Sequence, residues 1–546
     1  MPFIIALLLL NLDPSAAKQS APYFEIAAAG KPAAVIVTPA AAPQSVEHAA
    51  HILQDYIRRM SGANLAIETR PGSSSGLPPI YVGVEPEGDA SGPHIRQDRD
   101  GTDEYRIRVT PDCISLSGND AAERRGTVFA VYDLLERLGC GWYGPDPLWH
   151  VVPAKKTLAL PMLDVYEEPA FAMRTIHIIE DQELKDAWRL TERTVKFERS
   201  LRNLVPREIY EQDHPDYFGK SQVCFTHPEV IEIIGRRLAE EIETSVHDGI
   251  VPFSLTQSDT GGFCNCARCR RIGNISARLL YMANGVSDIL SRNFKGRFSL
   301  TFISYWYAHD PPKPVYTARP GVVVMMVNEG NHAHPLEEKE PFYIRLFARR
   351  SNHREIQAIR GWQKTGAELG VYEWWIPGCG SYAWKRVPWY AGETALKNLR
   401  YWRDAGVKYM FYLTWYELGD GFPLRWPLYY VAAQGMWDPD VSAEELLATA
   451  CARLYGPAAE YMLAYYRQFE SAMATTRVHV GNWDLPYPEK VYPKSLYAEA
   501  DMYLSRALLT ATEPHARRRI EQERSLWRQA MLTIERLRSS RVQYPY

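Results

Sequence analysis

From about residue 166 the chain repeats one pattern, a short apolar run followed by an amphipathic stretch of helix length. Strand-like runs fall at 171–179, 201–210, 222–226, 250–257, 298–305, 321–328, 369–376 and 408–415. Segments long enough for helices separate most of them, at 228–246, 276–293, 340–365 and 390–405. Eight strands alternating with helices over roughly 250 residues predict a (β/α)8 barrel of the TIM type, whose parallel strands all end on one face. That barrel is placed at 166–440.

The flanks read differently. Residues 22–165 predict a small α/β domain, with strands at 35–38, 80–83, 104–110 and 113–117. Its helices fall at 46–60, stopped by Ser61-Gly62, and at 119–138, stopped by Gly139. Beyond Trp437-Asp-Pro439 the pattern turns helical, with Arg- and Glu-rich amphipathic stretches at 441–473 and 494–538, so 441–546 reads as a helical C-terminal region. The start, Met1-Pro-Phe-Ile-Ile-Ala-Leu-Leu-Leu-Leu-Asn-Leu12 with Ser15-Ala-Ala-Lys18 behind it, has the apolar core and small-residue zone of a secretory signal over 1–20. It is too short to span a membrane, and no later segment comes close. The expectation is an exported protein, periplasmic or extracellular, with no membrane span.

Composition narrows the classes. A chain of 546 residues is too long for a single core, and 46% apolar with 23% charged residues is a globular balance. A net charge of −3 without a basic run argues against nucleic acid as a partner. Fifteen Trp and 33 Tyr are the oddity. Most fit a large aromatic core, while those at strand ends are placed to stack on sugar rings.

The chemistry gathers at the same strand ends. The run Val251-Pro-Phe-Ser-Leu-Thr-Gln-Ser-Asp259 closes on a lone carboxylate, then a glycine turn, then three cysteines. Glu329 ends Met325-Met-Val-Asn-Glu-Gly330, Glu373 lies in Gly370-Val-Tyr-Glu-Trp-Trp-Ile376, and Glu417 with Asp420 follows the last strand. Barrel enzymes draw their reactive groups from strand carboxyl ends, so Asp259, Glu329, Glu373 and Glu417 are the candidate catalytic acids. Glu373, flanked by Tyr372 and Trp374-Trp375, is expected in an aromatic wall that would keep its carboxyl protonated near neutrality, with Asp259 as its partner. Trp306, Trp374, Trp375 and Trp415, with Tyr372, are candidate sugar platforms, and His227 and His332 candidate rim contacts. No His-Glu-x-x-His occurs, and the Ser and Cys residues show no nucleophile-elbow context.

Cys264, Cys266 and Cys269 have ligand-like spacing, and Cys224 is expected beside them on the preceding barrel strand. Four thiolates would suit a structural zinc. A disulfide with a spare thiol, or free thiols, are the other readings, and no cofactor is expected for catalysis.

The run Ala121-Ala-Glu-Arg-Arg-Gly-Thr-Val-Phe-Ala-Val-Tyr-Asp-Leu-Leu-Glu-Arg-Leu-Gly-Cys-Gly-Trp-Tyr143 resembles the small domain ahead of the barrel in α-glucuronidases and β-hexosaminidases. The segments Gln222-Val-Cys-Phe-Thr226, the cysteine loop from Asp259 and Trp437-Asp-Pro439 resemble a bacterial domain-of-unknown-function family numbered 4838. Part of that group is classed as glycoside hydrolase family 163, endo-β-N-acetylglucosaminidases acting on N-glycans. The resemblance spans about 22–470 and implies cleavage of N-acetylglucosamine-containing glycans. The mechanism it implies is a retaining one in which the substrate's own acetamido group attacks. An α-glucuronidase, for which Arg174, Arg207 and Arg425 would cradle a uronate, and a non-catalytic glycan-binding protein are the alternatives.

Overall fold

The computed structural model describes residues 23–70, 76–86, 94–99, 101–245, 249–337, 351–374, 384, 387–414, 422–481 and 486–539. The proposed signal at 1–20 lies outside these residues, and among them no helix is long and apolar enough to cross a membrane.

The chain folds around two six-stranded sheets. The first contains β1 (Val35–Val37), β2 (Ile67–Glu68), β3 (Pro79–Val82), β4 (Tyr105–Val109), β5 (Ile114–Gly118) and β6 (Leu163–Glu167) in the order β6-β4-β5-β3-β1-β2. Strands β5, β3, β1 and β2 run parallel, and β4 pairs antiparallel with both β5 and β6. Helices α1 (Gln44–Ser61) and α2 (Gly126–Leu138) pack with it, each stopped by a left-handed glycine, Gly62 and Gly139.

The second sheet positions the candidate chemistry. Strands β7 (Met173–Ile176), β8 (Val251–Ser254), β9 (Phe298–Ser304), β10 (Val322–Asn328), β11 (Glu368–Trp374) and β12 (Val407–Leu413) are all parallel, in the order β7-β12-β11-β10-β9-β8. Helices α3 (Pro228–Thr244), α4 (Ile275–Leu290), α5 (Asn352–Gln363) and α6 (Gly392–Asp404) fall between the strands in sequence. The result is a curled parallel half-barrel rather than the eight regular strands expected.

Two expected strands are absent for local reasons. Residues 201–210 form two short helices, Leu201–Leu204 and Arg207–Tyr210. Leu201 and Leu204 recur at helical spacing, and Pro206, with its fixed φ, opens the second helix. Residues 222–226 turn back on the chain before them: Cys224 N–H donates to the Tyr217 carbonyl, and Val223 bridges Phe218 antiparallel. An irregular segment at 191–200 runs between the two edge strands instead. Thr191 N–H bonds the Arg174 carbonyl of β7, and Ser200 N–H bonds the Thr256 carbonyl just beyond β8.

Beyond the sheet, α7 (Trp426–Trp437), α8 (Ala443–Tyr455), α9 (Ala459–Thr475), α10 (Lys494–Thr510) and α11 (Pro514–Ser539) form a helical layer. Arg174, with 0% exposure, joins the two sheets. Its guanidinium bonds Asp103 at 3.0 Å and the carbonyls of Phe171 and Arg189 at 2.8 Å each, and lies over the Trp437 ring. Each of the three nitrogens of this buried cation donates, as an internal charge requires. Arg207 bonds Gly219 O and covers the Phe218 ring, and Arg425 bonds Trp384 O. The three arginines considered for a uronate cradle are thus engaged within the protein.

Candidate functional site

Because all six strands of the second sheet run parallel, their carboxyl ends share one edge. Period-two alternation decides which side chains look into the curl. Met173, Val323, Met325 and Phe411, with Val195 and Phe197 of the irregular segment, form an inner cluster, and Val327 and Trp374 extend it toward the edge. The alternate positions, Val324, Met326, Leu369, Val371, Met410 and Tyr412, pack in the main core with the helices.

Glu373 has the helix-side parity. Tyr372 and Trp374 do face the inner aromatic wall, but Glu373 between them points the other way. It has 0% exposure and accepts a 2.9 Å bond from Asn328 Nδ2. Burial, and then the charge of Glu373, push the neighbouring Tyr412 phenol well above its ordinary range. Asn328 Oδ1 in turn accepts from Gly330 N–H at 3.1 Å. Glu373 therefore grips the turn on which Glu329 rides.

Glu329 returns to the parity of Met325 and Val327 at the end of β10 and is only 1% exposed. Its charge also reaches His309, which sits 2.9 Å from Glu355 of α5. Burial, the largest single influence, would depress the His309 imidazole, yet Glu355, Asp310 and Glu329 together outweigh it and raise it to about 10. Neither His309 nor Glu355 was foreseen. The readable signal was Glu355 itself, a charge on the same buried stripe of α5 as Ala358, Ile359 and Trp362.

Asp259 lies on the loop after β8, its side chain 43% exposed and paired with Arg199. The sheet edge carries exposed aromatics beside it. Trp306 and Tyr307, 46% and 51% exposed, stack with ring centroids 5.1 Å apart, and Trp306 has a left-handed φ of 51°. A bulky residue held there is strained, and strain of this kind gathers at binding sites. The rings continue both ways. Phe263 of the cysteine loop meets Tyr307 at 5.5 Å, while Tyr305 meets Trp306 at 6.2 Å and Trp374 at 6.1 Å. An aromatic track thus leads from the cysteine loop into the curl.

The remaining expectations divide. His332 is buried and held through its backbone N–H to the Val480 carbonyl, and His227 stands at the start of α3, 2.9 Å from Asp216. Trp375, Trp415 and Glu417 lie outside the described residues. A cavity of about 190 Å³ opens at the ends of β7 and β12, lined by His177, Glu180, Glu192, Arg193 and Phe411, polar groups the sequence reading overlooked. A larger hollow of about 520 Å³ lies between Leu201–Leu204 and α3, lined by Ser200, Asn203, Arg237, Glu240, Glu241 and Thr244.

The four cysteines do meet. Their sulfurs all lie within 4.8 Å of one another, Cys224 and Cys269 buried, Cys264 and Cys266 half-buried. Cys224 reaches them from a turn before α3 rather than from a barrel strand.

In fold, the chain is similar to a GH115 4-O-methyl-α-glucuronidase, BtGH115A, described as specific for decorated arabinogalactans. The TM-score is 0.60 at 12% identity, over 94% of this chain and 73% of that one. It is also similar to CpGH89 from Clostridium perfringens, solved with GlcNAc-α-1,4-galactose, with a TM-score of 0.50 at 9% identity over 80% and 58% of the two chains. At such identities the likeness is one of fold. No curated protein matches the sequence. The chain belongs to the family described as Domain of unknown function (DUF4838), whose profile matches residues 142–468.

Proposed function

We propose that this protein is a glycoside hydrolase acting on a glycan. The observation that carries the reading is the exposed Trp306–Tyr307 stack at the carboxyl edge of the parallel sheet, continuous with rings that lead toward the buried end of β10. A sugar presents an apolar face to such a surface, and barrel-type folds work at this edge. The fold neighbours, an α-glucuronidase and an enzyme solved with an N-acetylglucosamine-containing disaccharide, agree with the class.

Two carboxylates in contrasting surroundings would divide the work. Glu329, buried at a strand end, is the proton donor to the departing oxygen, and Asp259, half exposed beside Arg199, is the charged partner at the reacting centre. Glu373 acts through Asn328 as a positioning residue. The substrate we favour contains N-acetylglucosamine, cleaved internally with retention by attack of its acetamido group, which needs an acid and an orienting carboxylate rather than an enzymic nucleophile.

The test is a panel of nitrophenyl glycosides and N-glycoproteins with three variants. Glu329→Gln should lower turnover of natural glycans by about 10²–10⁴-fold, and less for a nitrophenolate that departs without a proton. Asp259→Asn should slow both kinds of substrate. Glu373→Gln should lower turnover of both less severely, through a looser turn. Equal, mild losses on both substrates for Glu329→Gln would remove it from the acid role. Undiminished cleavage of a de-N-acetylated substrate would exclude acetamido participation, and binding without turnover of any sugar would make the protein a glycan-binding module.

A further inference from the structure

The loop from Leu255 to Cys266 has no regular secondary structure, yet it is held closely. Gln222 Nε2 donates to the carbonyls of Ser258 and Thr260 at 2.8 and 2.7 Å, and Ser221 N–H bonds the Gly262 carbonyl at 3.1 Å. Gly219 lets the two segments touch, since a Cβ there would stand 2.4 Å from Cys264 N. At the centre of this junction are sulfurs from both segments.

We propose that Cys224, Cys264, Cys266 and Cys269 bind one zinc ion, in a closed structural site that fastens the rim loop to the turn before α3. The sulfur spacing fits. Cys224 Sγ lies 3.7 Å from Cys269 Sγ and 4.0 Å from Cys266 Sγ, and a tetrahedral centre with Zn–S bonds of ~2.3 Å has edges of about 3.8 Å. A disulfide would bring one pair to ~2.05 Å and leave two thiols without a role.

The surroundings are arranged for thiolates. Thr226 Oγ1 makes contacts of 3.1 Å to Cys269 and 3.6 Å to Cys224. Such hydrogen bonds orient and charge-stabilise metal-bound sulfur. Binding converts four thiols to thiolates and releases their four protons to solvent, leaving a centre of net charge −2. Arg268, Arg270 and Arg271 sit on Ala267–Ile272 beside it, and Arg278 holds the Cys264 carbonyl at 2.9 Å. Four protein ligands leave no open position, so the ion is not a catalyst. Iron could adopt the same geometry, but zinc stands above ferrous iron in intrinsic affinity.

The consequence reaches the sheet edge. Phe263, one residue before the first ligand of the loop, packs between Phe225 and Tyr307 at 5.9 and 5.5 Å. The ion thus braces the Trp306–Tyr307 platform from behind. The metal assignment does not depend on the carbohydrate reading.

Elemental analysis of the full chain, purified without chelator under reducing conditions, should find about one zinc per chain. A mercurial thiol reagent should release it to a colorimetric chelator, and Cys264→Ser or Cys266→Ser should lose it while Cys113→Ser keeps it. Should the cluster variants fail to fold, cobalt exchanged into the native protein reports the site directly, through the intense visible absorption of tetrahedral thiolate coordination. Release of zinc should also change tryptophan fluorescence, and Trp306→Phe should diminish that change. Metal-free protein with intact fold, stoichiometric iron, a mapped disulfide among the four, or a cobalt spectrum without thiolate ligands would each overturn the site. Zinc bound in a protein that cleaves no sugar would leave it standing and sink only the proposed function.

Discussion

Replacing Trp306 with alanine removes one of the two exposed rings of the platform. The indole is 46% exposed. An aromatic side chain offers up to ~250 Å², so roughly 115 Å² of this one faces water, and a sugar ring covering half of that hides ~60 Å². At ~25 cal/mol/Å² the contact is worth about 1.5 kcal/mol, or about tenfold in affinity. Trp306→Ala should therefore raise KM or Kd for a glycan about tenfold, read by calorimetry or initial rates, with kcat changed less. Trp306→Gly adds a second readout. At φ 51° glycine relieves backbone strain of about 1 kcal/mol and forfeits a similar amount of chain entropy, so Tm should hardly move while binding falls as for alanine. Affinity within twofold of the parent in both variants would show that the stack is not a sugar platform. A large fall in Tm would show that the indole is structural despite its exposure.

Two buried titrations should mark the stability profile. Glu523, fully buried and bonded by the Tyr455 and Tyr466 hydroxyls, has its carboxyl pushed by burial up to about 8. The folded state holds this proton more tightly than the unfolded, so stability present at low pH is lost as pH rises from the ordinary carboxyl range through 8. The loss amounts to about 4–5 kcal/mol, and Glu523→Gln should flatten that limb in denaturant titrations. His309, raised to about 10, contributes stability that is complete below the ordinary imidazole range and disappears as pH climbs through 10. Glu355→Gln removes its buried partner and should cost about 3–5 kcal/mol at pH 7, with a smaller further decline above it, since Asp310 and Glu329 still favour the imidazolium. An unchanged pH profile in either variant would refute its assignment.

The sheet was legible where strands are apolar along their whole length. Val322–Asn328 and Phe298–Ser304 are buried on both faces, so their sequences read as strands without help from context. The run at 201–210 misled because Leu201, Leu204 and Ile209 are apolar, and only the spacing of three between Leu201 and Leu204, with Pro206 behind it, distinguishes short helices from a strand. The eight-strand count failed with it, and so did the strand assigned to Cys224. The meeting of Cys224 with the later cysteines was foreseen on a premise that failed: spacing marks Cys264, Cys266 and Cys269 as a local set, but Cys224 was expected from a strand and arrives from a turn. The orientation of Glu373 was available in principle. Alternation puts it opposite Tyr372 and Trp374, and treating all three as one wall overlooked that. The His309–Glu355 contact spans 46 positions and two elements, and no short pattern encodes it.

The profile match begins at residue 142, inside the contacts of the first sheet's helices rather than between two bodies. Trp142 Nε1 donates to Tyr56 of α1, and its ring packs on Tyr56 and on Tyr132 of α2. Arg174 depends on Asp103 from the same preceding part of the chain. A protein cut at the profile's edge would begin with a bare indole and leave a guanidinium without its carboxylate in the interior. What similarity delimits here is therefore a record of shared ancestry, and the smallest piece able to stand by itself must reach back to α1.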